Sequence, residues 1–314
     1  MSDPTTSREH TGAILTALFV TVLWSSSWIL IRWGLDDEGL RPLTFAGMRY
    51  LLASLLLIGL VLVTPRTRVM IAGMGRAKWG QLILLGLVFM AVAQGAQFVA
   101  IDSQPAATSS LVLSLTPLIV AAASTITLAE RPSTRQTMGA VLIVLGAVAY
   151  FSGDLGFTVI GLVAALVGLI ASSVGSLIGR AANRDRALAP VVVTVVSMSS
   201  GAIALMAAGV AVEGWPAISA RAWLIIIWLA VVNTAWAFTL WNRSLQLLSA
   251  TESSAINNTM LIQIGLLAWL FLDETPGPLD ILGMLAVSVG VYLAQRPRVD
   301  TRAFHEQVPD PGRR

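Results

Sequence analysis

The chain has no cysteine in 314 residues. That removes disulfides, thiolate-held metals and thiol nucleophiles together. Histidine is nearly as scarce: the two present, His10 and His305, both lie in the tails. Charged residues make up only 12%, about half of what a soluble domain of this size carries. The 17 acids fall in tails, in loops or at the ends of apolar runs and both histidines in the tails, so the core of the spans lacks a carboxylate or imidazole for a proton relay. Serines abound, but no histidine stands where it could serve one as a base, which sets aside an intramembrane hydrolase. No ring of charge or filter-like run marks a channel, and no cofactor or metal motif occurs.

What remains is apolar. Hydrophobic residues reach 56% and the mean hydropathy is +0.78, distributed along the whole chain. About 20 helical residues cross the hydrocarbon of a bilayer. Ten apolar runs qualify as candidate spans: 12–34, 43–64, 79–100, 106–129, 136–151, 158–179, 190–212, 222–241, 253–272 and 279–294. The fifth and tenth are short, but they occupy equivalent places in a repeat described below. The first is too long for a signal-peptide core and no small-residue cleavage site follows it, so it counts as a span. The preceding Met1–His10 is read as a polar tail without structure. Net charge is +3, but the basic residues are spread over short loops, which points to topology rather than to nucleic acid. With the N-terminus inside, sixteen of the 20 lysines and arginines face the cytoplasm. Only Arg41 and Arg221 face out, while Arg32 and Arg49 fall within spans. That bias places both termini in the cytoplasm.

The chain also repeats itself. Ala106–Tyr150 aligns without a gap on Ala250–Ala294 at an offset of 144. The shared pattern is an apolar helix, an acid–x–Pro loop, and a shorter apolar helix with two glycines seven apart (Gly139 and Gly146; Gly283 and Gly290). Earlier segments match more loosely, with Trp79 against Trp223 at the same offset and Ser25 and Pro42 against Ser173 and Pro190 at offset 148. Five spans per half is an odd number, so the second half must be inserted upside down. Loop charge agrees: Glu130–Arg135 is basic, whereas its copy Asp273–Asp280 is acidic. The expected fold is therefore all-α and integral to the membrane. Ten transmembrane helices form a 5+5 inverted repeat around a central cavity, as in many secondary transporters. The divisions are a tail 1–11, a first repeat 12–151, a second repeat 158–294 and a basic tail 295–314.

Several stretches carry a family resemblance: WSSSWILIRWGL in the first span, PLTFAGMRYLLA in the second, SSLVLSLTPLIV with LAERPS and MGAVLIVLG, and the echo ending LDETPGPLDILG. Together they resemble the ten-helix EamA-type exporters of the drug/metabolite transporter superfamily, over residues 11–294. The resemblance implies export of small metabolites, amino acids foremost, across a bacterial inner membrane. Multidrug efflux is the alternative. The implied partners are a small solute and the lipid bilayer, and a monomer suffices. One departure is notable: the proline expected in both copies is present as Pro117 but is Leu261 in the second, so an asymmetric helix break is expected.

Polar side chains at membrane depth are the candidate solute ligands. The midplane set comprises Trp24, Thr116, Asn233, Trp236 and Gln263. Ser27 shares a helical face with Trp24, and Trp236 shares one with Asn233. Gln94 and Gln97 lie in the outer half of span three and Asn257 and Asn258 in the inner half of span nine, about 13 Å apart in height by helix rise. Each also has a purely structural reading, since amides bridge helices and indoles fill volume. Arg49, roughly 9 Å inside the outer end of its span, either pairs with Asp36, Asp37 or Glu38 or attracts a substrate carboxylate. Arg32 reads as an interface anchor. Pro117 frees the Leu113 carbonyl and serves as a kink or as a hinge opening backbone into a cavity. Gly175 and Gly179 form a GxxxG that packs helices within one chain.

Overall fold

The computed structural model of the chain describes residues 4–104, 109, 112–113, 115–127, 133–150, 158–184, 186–272 and 277–295. The C-terminal tail from 296, the inter-repeat loop 151–157, and half of the Glu130–Arg135 and Asp273–Asp280 loops lie outside the described residues. Of those two loops only 130–132 and 273–276 are outside, as are the beginning of span four and the side chains of Arg32 and Asp36.

Every regular element described is helical. In chain order they are α1 (Pro4–Asp36), α2 (Pro42–Val63), α3 (Pro65–Ala72), α4 (Arg76–Leu85), a π-helical segment π1 (Gly86–Ala93) and α5 (Gln94–Ser103). Next come α6 (Thr116–Thr127), α7 (Thr134–Tyr150), α8 (Val159–Asn183), α9 (Pro190–Glu213) and α10 (Ala220–Ala230). The chain continues through π2 (Val231–Trp236), α11 (Ala237–Ser244), α12 (Ala250–Asn257), α13 (Met260–Leu272) and α14 (Pro278–Gln295). Six helical stretches among the described residues are long and apolar enough to cross a membrane: 8–35, 42–63, 76–100, 159–183, 190–213 and 220–244. Three shorter apolar helices accompany them within α6, α7 and α14. Large apolar side chains face outward, Ile126 at 88% and Val63 at 77% exposure, as suits a surface solvated by lipid.

Helix starts carry the repeat. Proline supplies a preset φ and lacks the N–H that a first turn leaves unpaired anyway; it opens α2 at Pro42 and α9 at Pro190, 148 residues on. The pairs α4/α10, α6/α13 and α7/α14 begin 144 residues apart, at Arg76/Ala220, Thr116/Met260 and Thr134/Pro278. At that offset π1 also spans the image of π2.

Helices at the same repeat position pack on one another: α2 on α9 and α7 on α14. They do so antiparallel. Gly47 lies against Met206 while Thr44 lies against Gly209, and Gly146 lies against Gly283 while Gly290 lies against Gly139. One half is thus inverted relative to the other. In lipid no hydrophobic gain draws helices together, so close backbone approach at small residues and interhelical hydrogen bonds must supply the cohesion. The sequence's glycines seven apart are the α7–α14 contact itself. The GxxxG glycines likewise serve the monomer, with Gly175 against the Phe89 ring and Gly179 against Leu85 and Leu245.

Two expectations are corrected. The N-terminal tail is helical from Pro4, because α1 continues to a docked His10, whose Nε2 is 3.2 Å from Glu252 Oε1. The helix break is also not asymmetric. Span nine is interrupted between α12 and α13 at the repeat position where α6 begins, although it has no proline there. Side chains do the work instead: Asn258 Nδ2 donates to the Ser254 carbonyl (3.1 Å) and Thr259 Oγ1 to that of Ile256 (2.7 Å). Such side-chain-to-backbone bonds compete with the helical ladder. In the first half Thr116 Oγ1 donates to the Leu113 carbonyl (2.6 Å), the group that Pro117 leaves free.

Candidate functional site

The second π segment is the point where the polar candidates converge. A π turn is wider than an α turn and shifts the hydrogen-bond register, a feature frequent at functional sites. Within π2, Asn233 and Thr234 are fully buried. The Asn233 carbonyl accepts from Trp24 Nε1 (3.1 Å) on α1 and from Arg49 Nη2 (3.3 Å) on α2. Arg49 Nε donates to Thr234 Oγ1 at 2.7 Å. The Asn233 amide nitrogen donates to the Leu23 carbonyl and to Ser26 Oγ. Two helices of the first half and the π segment of the second are therefore tied through one residue.

Of the three acids expected to pair with Arg49 near the outer surface, the Asp36 side chain lies outside the described residues and the other two are engaged elsewhere. Asp37 and Glu38 face Arg221 instead, at 3.7 and 3.6 Å. Arg49 runs inward, 4% exposed, with its guanidinium carbon 5.3 Å from the centre of the Tyr50 ring. Its length accounts for the difference: a Cα about 9 Å deep with an inward side chain reaches the level of π2.

Aromatic rings line the same region. Phe238 lies between Trp24 (ring centroids 4.8 Å), Tyr50 (6.3 Å) and Phe89 (6.4 Å), and Trp241 packs on Trp24 at 5.1 Å. The Tyr50 hydroxyl donates to Gln94 Oε1 (2.8 Å). Sequence reasoning missed Tyr50, Thr234 and Phe238. A signal existed: at offset 144 Phe89 aligns with Asn233 and Gln94 with Phe238, so each half contributes one amide and one aromatic in opposite order.

Gln263 anchors a second polar seam, between α1 and α13. Its Oε1 accepts from Ser25 Oγ (2.8 Å), and its Nε2 donates to Thr21 Oγ1 (3.0 Å) and Thr259 Oγ1 (3.2 Å). Toward the N-terminus of α1, His10 meets Glu252. The Glu252 carboxylate also accepts the Ser249 N–H (2.8 Å), closing a capping box at the start of α12.

The other candidates do not join these clusters. Trp236 is half exposed and packs edge-on against Phe19 (5.6 Å). It was expected on the face of Asn233 by α spacing, but the wider π turn carries it off that face. Asn257 is exposed while Asn258 is buried in the span-nine break, so they do not act as a pair. Ser27 is buried and donates to the Trp24 carbonyl within α1 (2.6 Å), and Thr116 serves its own helix start. Gln97 is half-buried, one turn beyond Gln94 on α5. A lateral groove of about 390 Å³ between α5 and α8 is lined by Val99, Ile160, Val163, Val167 and neighbouring small apolar residues. It offers no polar group to hold a solute.

An all-helical, membrane-embedded pair of inverted repeats, with interrupted helices and polar groups meeting between the halves, defines a secondary transporter architecture. The sequence profile of the EamA-like transporter family matches residues 11–152 and again 159–295, once in each half, and the chain belongs to that family. It is accordingly a multi-pass membrane protein of the drug/metabolite transporter type, moving a small molecule across a bilayer. A solved structure described only as "Crystal structure of protein" is similar with a TM-score of 0.76 and 19% identity, over 90% of this chain and 96% of that one. At that identity the likeness speaks for the fold. No curated protein matches the chain.

Proposed function

We propose that the chain exports small metabolites, amino acids foremost, across a bacterial inner membrane by alternating access. The ten-span topology with both termini in the cytoplasm, the two repeat units 12–151 and 158–294, and a solute cavity between them are part of this reading. The observation that carries it is the convergence of Trp24 and Arg49 on the Asn233 carbonyl. A rocking motion of one half against the other must break and remake this inter-half contact. A solute bound there would therefore sense and bias the exchange. Indole, neutral amides and hydroxyls suit solutes that share a zwitterionic backbone and differ in side chain.

The alternative, efflux of lipophilic cations, finds less support. The charged group at the cluster is the guanidinium of Arg49, and among the described residues no carboxylate lies within ion-pair distance of it. A cation would meet repulsion there. Counterflow by the purified protein in liposomes, run against the twenty amino acids and a panel of lipophilic cations, separates the two. Exchange of amino acids supports the proposal. Exchange of the cations alone overturns it in favour of efflux, and no exchange at all would count against transport of either class.

A further inference from the structure

We infer that Arg49 and Asn233 together form a receptor for the zwitterionic head of an α-amino acid, the carboxylate on Arg49 and the ammonium on Asn233 Oδ1. The inference rests on the amino-acid reading above and names the groups that would enforce it. A guanidinium presents five N–H donors in a planar fork suited to a carboxylate. Arg49 spends them on neutral acceptors, a hydroxyl at 2.7 Å and a carbonyl at 3.3 Å. The described residues supply no acid within reach. A charge buried in a membrane protein ordinarily pairs with an opposite one or marks a ligand path.

Asn233 provides the complement. Its amide nitrogen donates to the Leu23 carbonyl and to Ser26 Oγ. The Leu23 carbonyl can only accept, so the amide cannot be turned end for end. That leaves Asn233 Oδ1 buried and without a hydrogen-bond donor. A buried acceptor left unmade is costly. An under-used cationic donor and an unused acceptor thus sit on two residues already in contact, one from each half. A zwitterion satisfies both at once. An amine without a carboxylate leaves the guanidinium unpaired, and an acid without an amine leaves Oδ1 unpaired.

Engagement by substrate also has a mechanical consequence. A carboxylate is a stronger acceptor for Arg49 than the Asn233 carbonyl it holds at 3.3 Å. Binding therefore exchanges the tie between α2 and π2 for a tie to substrate, freeing the inter-half contact when cargo is present and restoring it when cargo leaves.

Two variants test this. In Thr234→Asp the protein itself supplies the carboxylate that Arg49 lacks, at the position of the hydroxyl it now holds at 2.7 Å, and leaves the two bonds donated by the Asn233 amide in place. The expected result is a melting temperature in detergent above that of the wild type, with amino-acid counterflow reduced about ten- to hundredfold, the cost of one charge-assisted contact. A melting temperature at or below that of the wild type overturns the inference, and this arm needs no knowledge of the substrate. In Arg49→Gln, competition against an exported amino acid is compared for that amino acid, its deaminated acid and its decarboxylated amine. The expected result is at least a tenfold loss for the two carboxylate-bearing competitors and none for the amine. Equal losses for all three, or no loss for any, overturns it. If wild type exchanges no amino acid, the reading under "Proposed function" fails on its own, whatever the melting temperatures show.

Discussion

The α7–α14 contact offers a prediction whose sign comes from geometry alone. A Cβ built on Gly290 would lie 2.6 Å from the Gly139 carbonyl oxygen and 2.9 Å from the Ile143 nitrogen. One built on Gly146 would lie 2.7 Å from the Gly283 carbonyl oxygen and 2.8 Å from the Val287 nitrogen. These are backbone atoms and cannot rotate away. Reaching an ordinary separation of about 3.5 Å requires the helices to part by nearly 1 Å, and overpacking of this kind costs about 1–3 kcal/mol. Gly59, on the exposed side of α2, has nothing within 4 Å of its Cβ position. Alanine there gains the helix propensity that glycine lacks, up to ~1 kcal/mol. Since that gain applies at all three sites, the difference between Gly290→Ala or Gly146→Ala and Gly59→Ala isolates the contact, at about 1–3 kcal/mol. The double variant Gly146→Ala/Gly290→Ala should cost less than the sum of its parts, because helices already parted by one methyl accommodate the second. Reversible unfolding in mixed micelles, followed through the fluorescence of the ten tryptophans, measures all four variants. Equal stability of Gly59→Ala and Gly290→Ala would refute the packing argument.

Other outcomes are expected as follows. Gln263→Ala removes two hydrogen bonds between α1 and the broken span nine and a third, to Thr259, within that span. At about 0.6 kcal/mol each in a membrane protein the fold should survive, while counterflow falls at least tenfold; unchanged flux at equal abundance would make Gln263 a structural bridge only. Trp24→Ala should likewise cut counterflow while leaving insertion intact, and wild-type rates would move the solute site away from π2. His10→Ala and Glu252→Gln should each lower stability by about 1 kcal/mol through the shared contact and the cap, and a double-mutant cycle showing strict additivity would deny the coupling. With no acid in the midplane cluster, flux down a substrate gradient should persist without a pH gradient; strict dependence on one would identify Glu252 as a titrating participant. Since the chain has no cysteine, single cysteines report topology directly. At Asp37 or Gly277 they should react with an impermeant thiol reagent from outside and at Arg68 they should not; the reverse pattern would invert the orientation.

The sequence by itself determined the elements that rest on local chemistry and on period. Pro42 and Pro190 stand as a matched pair of the repeat, and both open helices, because the missing N–H of proline costs nothing in a first turn. Apolar runs marked the six long spans, and the glycines seven apart, legible as a feature of the repeat, proved to lie where α7 meets α14, since a missing side chain permits close backbone approach in lipid. Other features needed the packed chain. The interruption of span nine comes from Asn258 and Thr259 turning onto the Ser254 and Ile256 carbonyls, a choice between two bond partners that residue type alone leaves open. The π segments depend on what neighbouring helices press against them, so α spacing put Trp236 beside Asn233 and the wider turn separated them. Arg49 is the clearest case. Its depth was readable, but a long side chain can reach several ångströms either way. Its direction was decided by Thr234 and the Asn233 carbonyl, which lie some 185 residues away in the chain and come within its reach only when the two halves dock.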